Sequence, residues 1–226
     1  MKILIGTPIH ACKDYSMKSW LQNVAKLQKE TPVDLLLVDN SPGTDYLEKV
    51  KGYCKKFGIK NYGLKHFEVK NANLNPDLVR SVNVEISQEI IRRHTIKQDY
   101  DAWFSWECDQ IIPENTLNQL IAMMSAGKYM MVVVNSWARE TRGELNANMG
   151  VTLISSEALK MSWFLPDKKG KISLELKDFY QNGEISFDLA DFYNVDETMF
   201  KKRILRSGGN YVEIYGVIEP IYHLNN

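Results

Sequence analysis

This sequence lacks the marks of several protein classes. It has three cysteines, Cys12, Cys54 and Cys108, widely spaced and odd in number, with no CxxC. A disulfide framework needs pairs and a zinc site needs clustered thiols, so the reading is reduced thiols in a cytoplasmic setting. There is no excess of either charge, since Lys+Arg and Asp+Glu both number 28. That balance gives no electrostatic reason to expect nucleic acid or an anionic membrane as partner. No apolar run reaches the ~20 residues that span a bilayer, so no transmembrane segment is expected. The opening MKILIG is too short and too strand-like for a signal peptide. Repeats and low-complexity tracts are missing too, and nothing in the sequence speaks to oligomeric state.

What is there is a chain of 226 residues, 44% hydrophobic, enough for one sizeable core. Its first part alternates. Residues 2–9, 34–38, 64–69, 102–106 and 129–134 read as buried strands. Between them lie amphipathic segments at 16–28, around Leu47, Val50, Cys54 and Phe57, from Pro76 through Leu78, Val82, Ile86 and Ile90, and at 113–125. Gly58 suits a helix C-terminus, and Asn75-Pro76 suits a helix start. Continuous apolar strands between helices predict an α/β/α sandwich with a mostly parallel central mixed sheet. After Val134 the pattern changes. Residues 135–148 are polar, 149–154 form a strand, and 164–195 are charged and weakly periodic. A helix at 197–205 precedes strands at 211–214 and 217–223. The chain reads as a single domain, 1–226, with halves at about 1–134 and 135–226.

The stretch AWFSWECDQIIPENTL, residues 102–117, runs from core strand to carboxylates with one residue between them. Ligands of open α/β sheets bind outside the carboxyl ends of the strands. In extended backbone, residues i and i+2 point the same way, so Glu107 and Asp109 are placed to face one cation. Mg²⁺ or Mn²⁺ is held by one or two carboxylates plus phosphate oxygens, which suits a metal–diphosphate site. Asp99-Tyr100-Asp101 has the same spacing but precedes that strand, at the wrong end of the sheet. Position chooses between the two pairs.

With that pair in place, an order of short motifs emerges, and the chain resembles the GT-A-fold glycosyltransferases, family-two-like members of the nucleotide-diphospho-sugar transferase superfamily. The resemblance covers nearly the whole length. In that family the turn after the first strand touches the nucleotide, and ILIGTPIH offers Thr7, Pro8 and His10. An acid after the second strand contacts base or ribose, and DLLLVDNS offers Asp39. An Arg-x-x-Asn lies beside the diphosphate, and LVRSVNVEI offers Arg80 and Asn83. The metal motif, usually Asp-x-Asp, is here Glu107-Cys108-Asp109, with a longer first acid. An acceptor-side loop is matched by NANMGVTLIS with Gly150, and Trp137 lies nearby in sequence. The family's Glu-Asp pair, whose second acid is often the base, is reversed here as Asp196-Glu197. A C-terminal metal-binding histidine is matched by His223.

The resemblance implies transfer of a sugar from a nucleotide-diphospho-sugar donor to a hydroxyl acceptor on a glycan, lipid or protein. It implies Mn²⁺ or Mg²⁺ on Asp109, Glu107 and His223, with Glu197 or Asp196 as base. Each residue also has a plainer use. Asp39 suits an Asx-turn with Ser41, His10 a loop cap, and Arg80 a solvated helix face. Trp137 suits packing, Asp196 an N-cap, and His223 a tail. Two other functions stay open: a non-catalytic sugar-nucleotide or protein-binding module, and a sugar nucleotidyltransferase. The latter is disfavoured because GTPIHACKDYS has one glycine and no Gly-rich basic run.

Overall fold

The computed structural model describes residues 1–69, 76–134, 136–137, 145–146, 149–164, 180–181, 184–185, 197–216, 218 and 221–224. In chain order the elements begin with β1 (Ile3–Ile9), a 3-10 turn (Ala11–Lys13), α1 (Asp14–Glu30), β2 (Val33–Asp39), α2 (Asp45–Phe57), β3 (Tyr62–His66) and β4 (Glu68–Val69). Then come α3 (Pro76–Lys97), β5 (Ala102–Trp106), β6 (Gln110–Ile111), α4 (Thr116–Gly127), β7 (Met131–Val134), β8 (Ser136–Trp137) and β9 (Leu145–Asn146). The series ends with β10 (Val151–Ser155), α5 (Ser156–Met161), β11 (Tyr180–Gln181), β12 (Glu184–Ile185), α6 (Glu197–Arg206), β13 (Tyr211–Ile214) and β14 (Tyr222–His223).

Seven strands form the main sheet in the order β13-β7-β10-β5-β1-β2-β3. All its pairings are parallel except those of β10, which runs antiparallel to both β5 and β7. This is a mostly parallel mixed sheet, as the alternating pattern predicted. The strand order reverses at β1. The chain walks outward through β2 and β3, then returns to place β5 on the other side of β1. In open α/β sheets ligands bind at the carboxyl ends of the strands that flank such a reversal, here β1 and β5.

Strand alternation divides the core. Ile3, Ile5 and Ile9 of β1 pack with Met17, Trp20, Leu21, Val24 and Leu27 of α1, together with α2 and α4. Leu4 faces the other way, toward Val82, Ile86, Ile90 and Ile91 of α3, along with α5 and α6. Period-two alternation between two covered faces is why these strands read as unbroken apolar runs. Gly6 answers to a close approach: a Cβ there would lie 2.2 Å from Ile91 Cγ2 and 2.6 Å from Trp103 Nε1. The Trp103 indole N–H donates to the Gly6 carbonyl at 2.9 Å, so the missing side chain lets the indole reach the backbone.

Several boundaries differ from the sequence reading, for local reasons. The strand expected at 64–69 is split: Phe67 is fully buried and its N–H donates to the Asp39 carbonyl. That kink sends β4 into a separate small sheet, where it pairs with β12. Pro113 does not open α4. It makes a turn with Thr116, whose N–H donates to the Pro113 carbonyl. The strand expected from 149 starts at Val151, after a turn at Met149-Gly150. Asn75, at the expected start of α3, lies outside the described residues, and Leu78 is described in backbone only.

A buried charge cluster fastens α3 to the segment after α5. The Glu89 carboxylate accepts from Arg92 Nε and Nη2, both at 2.8 Å, from Arg93 Nε at 2.6 Å, and from the Phe164 N–H at 3.1 Å. Arg92 also donates to the Leu159 carbonyl at 2.6 Å. Burial alone would raise the Glu89 pKa, but Arg92 and then Arg93 outweigh it and hold the carboxyl below its ordinary range. Glu89→Ala leaves buried guanidinium charge uncompensated and is expected to cost about 3–5 kcal/mol, read from the urea midpoint. Because the folded pKa is depressed, this stabilisation is complete above the unfolded value of about 4.3 and is lost as pH falls through the folded value. The stability gap between wild type and variant should therefore narrow in acid.

Candidate active site

The carboxyl ends of β1, β2 and β5 carry the polar residues. After β1 the chain makes the 3-10 turn, capped by His10, whose Nδ1 accepts from the Cys12 N–H at 3.1 Å. The Ser41 hydroxyl accepts from the Ala11 N–H at 2.8 Å, and the Asn40 N–H donates to the Ile9 carbonyl at 3.1 Å. These bonds tie the loop after β1 to the loop after β2. Burial lowers the His10 pKa, with Asp39 opposing and Arg80 reinforcing, so the ring is held toward its neutral form.

Asp39 is fully buried. Its Oδ1 accepts from the Ser41 N–H at 3.0 Å and the Ser41 hydroxyl at 2.6 Å, the Asx-turn that its position allows. Its Oδ2 lies 2.9 Å from His66 Nδ1. Thr7 is buried too, and its hydroxyl donates to the Trp106 carbonyl at 2.8 Å, bracing β1 against β5. Pro8 is half-buried and Arg80 exposed. Asn83 lies one turn beyond Arg80 on α3, with a buried Oδ1 that has no hydrogen-bond partner among the described residues.

After β5 the backbone does not stay extended. Glu107, Cys108, Asp109 and Gln110 form a tight turn, closed by the Gln110 N–H donating to the Glu107 carbonyl at 3.2 Å. The acids therefore converge through the turn rather than through strand alternation. Gly150 fixes its entry, because the Gly150 carbonyl accepts from the Glu107 N–H at 2.7 Å. β14 fixes its exit. It pairs antiparallel with β6, with His223 opposite Gln110, and the Leu224 N–H donates to the Asp109 carbonyl at 2.7 Å.

This pairing brings Glu107, Asp109 and His223 together, with one ligand atom from each within 4.8 Å of the others. His223 Nε2 lies 3.2 Å from Glu107 Oε2. Gln110 Nε2 lies 3.2 Å from the same carboxylate oxygen and 2.8 Å from His223 Nε2. Lys13 forms an ion pair with Asp109 Oδ2, and the Tyr15 hydroxyl reaches that oxygen at 3.2 Å. Burial and then the Asp109 charge push the Cys108 thiol up to about 12, so it stays protonated between the two acids.

Glu197 opens α6. Its Oε2 accepts from the Met149 N–H at 3.0 Å and its Oε1 from the Gln88 amide at 3.4 Å. Burial raises its pKa, the Met149 N–H bond opposes that rise, and the charge of Glu107 adds to it. Met149, which holds Glu197, directly precedes Gly150, the residue whose carbonyl fixes the entry of the Glu107 turn. Asp196 and the side chain of Trp137 lie outside the described residues. Lys13, Tyr15, Gln110, Gln88 and His66 were not anticipated from sequence. For Lys13 and Tyr15 a signal existed, a cation and a phenol just past His10, in the 3-10 turn and the first turn of α1.

No family model matches the sequence, and no curated protein is similar enough to count as a match. Solved structures do resemble it. S. aureus TarS superposes with a TM-score of 0.55 at 16% identity over 100% of this chain and 37% of that one. S. aureus TarS 1-349 in complex with UDP-GlcNAc gives 0.55 at 14% identity, over 100% of this chain and 59% of that chain. The mannosyltransferase PcManGT from Pyrobaculum calidifontis, in complex with GDP-Man and Mn²⁺, gives 0.59 at 11% identity, over 98% of this chain and 56% of that one. The chain thus spans less than two thirds of the length of each. At these identities the likeness shows the fold, and the fold is GT-A-like. Among the described residues no helix is long and apolar enough to cross a membrane.

Proposed function

We propose that this chain is a glycosyltransferase that moves a sugar from a nucleotide-diphospho-sugar to a hydroxyl acceptor, with Mn²⁺ or Mg²⁺ on Glu107, Asp109 and His223. The observation that carries this reading is the convergence of those three residues at the carboxyl rim of a GT-A-like sheet. Two carboxylates and an imidazole fit such a cation: hard oxygens suit Mg²⁺ and Mn²⁺, and imidazole is acceptable to the latter. When bound, the ion supplies Lewis-acid stabilisation of charge on the departing diphosphate.

The chain's own residues do the rest. Glu197, buried and raised in pKa, takes the proton from the acceptor hydroxyl, and Asp196 is the alternative base. Thr7, Pro8 and His10 shape the nucleoside side. Asp39 acts through the Ser41 and His66 groups that it orients. Arg80 and Asn83, near a helix start, face the diphosphate. Gly150, which sets the acid turn, and Trp137 belong to the acceptor side. In this reading residues 1–134 take the donor and 135–226 the acceptor, a glycan, lipid or protein. A cytoplasmic setting, where the free thiols of Cys12, Cys54 and Cys108 stay reduced, goes with it. TarS and PcManGT, through the donors named in their complexes, support nucleotide-sugars as the ligand class.

The test is calorimetric titration of UDP, GDP, dTDP and their sugar conjugates, with Mn²⁺ and after chelation. One nucleotide is expected to bind in Mn²⁺ and to lose at least about tenfold in affinity on metal removal. Absence of binding to all of them, by folded protein, would overturn the reading. Binding without transfer to any hydroxyl acceptor would favour a non-catalytic module.

A further inference from the structure

The ligand groups of the candidate metal site are met by donors from the chain itself. The Lys13 ammonium and the Tyr15 hydroxyl both reach Asp109 Oδ2. The Gln110 amide nitrogen lies against both Glu107 and His223. The Asp109 side chain is 1% exposed and that of Lys13 is 21%, so the cation reaches from the rim into a buried carboxylate. A divalent ion and an ammonium cannot share one carboxylate without mutual repulsion.

We infer that Lys13 is a mobile counter-cation, which neutralises Asp109 while no metal is bound and turns onto the donor's diphosphate when metal and nucleotide enter together. The inference rests on the proposed metal and donor site. Its geometry is simple. A phosphate oxygen held by the same ion as Asp109 would lie beside that carboxylate. An ammonium already touching the carboxylate reaches such an oxygen by rotating its flexible stem. The backbone need not move. The Lys13 N–H donates to the His10 carbonyl at 2.9 Å, and Ser41 holds the neighbouring Ala11 N–H. One positive charge is thereby transferred from protein carboxylate to leaving group as the donor arrives.

Two opposite effects in one variant separate this role from a structural ion pair. Mn²⁺ is titrated into nucleotide-free wild type, Lys13→Met and Lys13→Arg, with free Mn²⁺ read by electron paramagnetic resonance. Lys13→Met is expected to bind Mn²⁺ about tenfold tighter, because the competing charge is gone. The same variant, at saturating Mn²⁺, is expected to bind the nucleoside diphosphate about tenfold more weakly, for want of a charge-assisted bond. Lys13→Arg keeps the cation and should stay near wild type in Mn²⁺ affinity, which guards against a folding artefact. Unchanged or weaker Mn²⁺ binding in Lys13→Met, with a wild type that does bind Mn²⁺, overturns the Lys13 role alone. Tighter Mn²⁺ with undiminished nucleotide binding overturns the diphosphate contact. Failure of all three folded proteins to bind Mn²⁺ removes the metal reading itself, and this inference with it.

Discussion

Glu197→Gln is expected to lower sugar transfer by about 10²–10⁴-fold while leaving donor affinity nearly unchanged. The substitution is close to isosteric. A glutamine carbonyl can still accept from the Met149 N–H, which lies 3.0 Å from the native carboxylate, so α6 keeps its anchor. What disappears is a proton acceptor. The wild-type carboxyl is pushed up by burial, which outweighs the opposing Met149 N–H bond, and the charge of Glu107 is a second raising cause. Metal on Glu107 would mute that second raising cause and leave burial. A base must be deprotonated to act. The acidic limb of the kcat/KM profile should therefore lie above the ordinary carboxylate pKa of about 4.3, with activity lost as pH falls through the raised value. That limb should vanish from the residual activity of Glu197→Gln. Full transfer by this variant, with loss in Asp196→Asn, would move the base to Asp196.

Asp109→Asn is expected to abolish Mn²⁺-dependent nucleotide binding and to reduce transfer by roughly a thousandfold or more, since metal stabilisation of the leaving group is worth several kcal/mol. The amide retains size and can still accept a hydrogen bond from the Tyr15 hydroxyl. Its lost charge leaves the Lys13 ammonium without its counter-ion and the divalent ion without its most buried carboxylate. Calorimetry of the nucleotide with and without Mn²⁺ reads the first effect, and product formation under saturating donor reads the second. Wild-type affinity and turnover in Asp109→Asn would end the metal-site reading.

The sequence showed the sheet because its strands are buried on both faces and so remain apolar throughout. It showed the candidate acids because a carboxylate pair directly after a core strand is positioned by topology, whatever the local spacing. Strand direction was not legible. Val151–Ser155 looks like its neighbours yet runs against both, since hydrophobicity along a strand carries no polarity. The turn at Glu107–Gln110 was also hidden, and with it Gln110 as a neighbour of His223. That contact depends on the pairing of β6 with β14, a long-range register that local pattern does not encode. The place of Asp39 after β2 suits both an Asx-turn and a ligand contact. Its full burial, with Ser41 and His66 on its two oxygens, became visible only with the loops in place.

The pairing of β14 with β6 has a kinetic side. Glu107 and His223 meet across 116 residues of chain, among the more remote contacts in the molecule. Closing so long a loop carries an entropy cost that short-range helices and neighbouring strands do not incur. The N-terminal part of the sheet can therefore consolidate early, through β1, β2, α1 and α2, while Glu107 and His223 stay apart until β14 docks. A cation bridging the two segments would act as a reversible cross-link on that last step. Occupancy would then govern how firmly β14 is held, as well as whether chemistry proceeds.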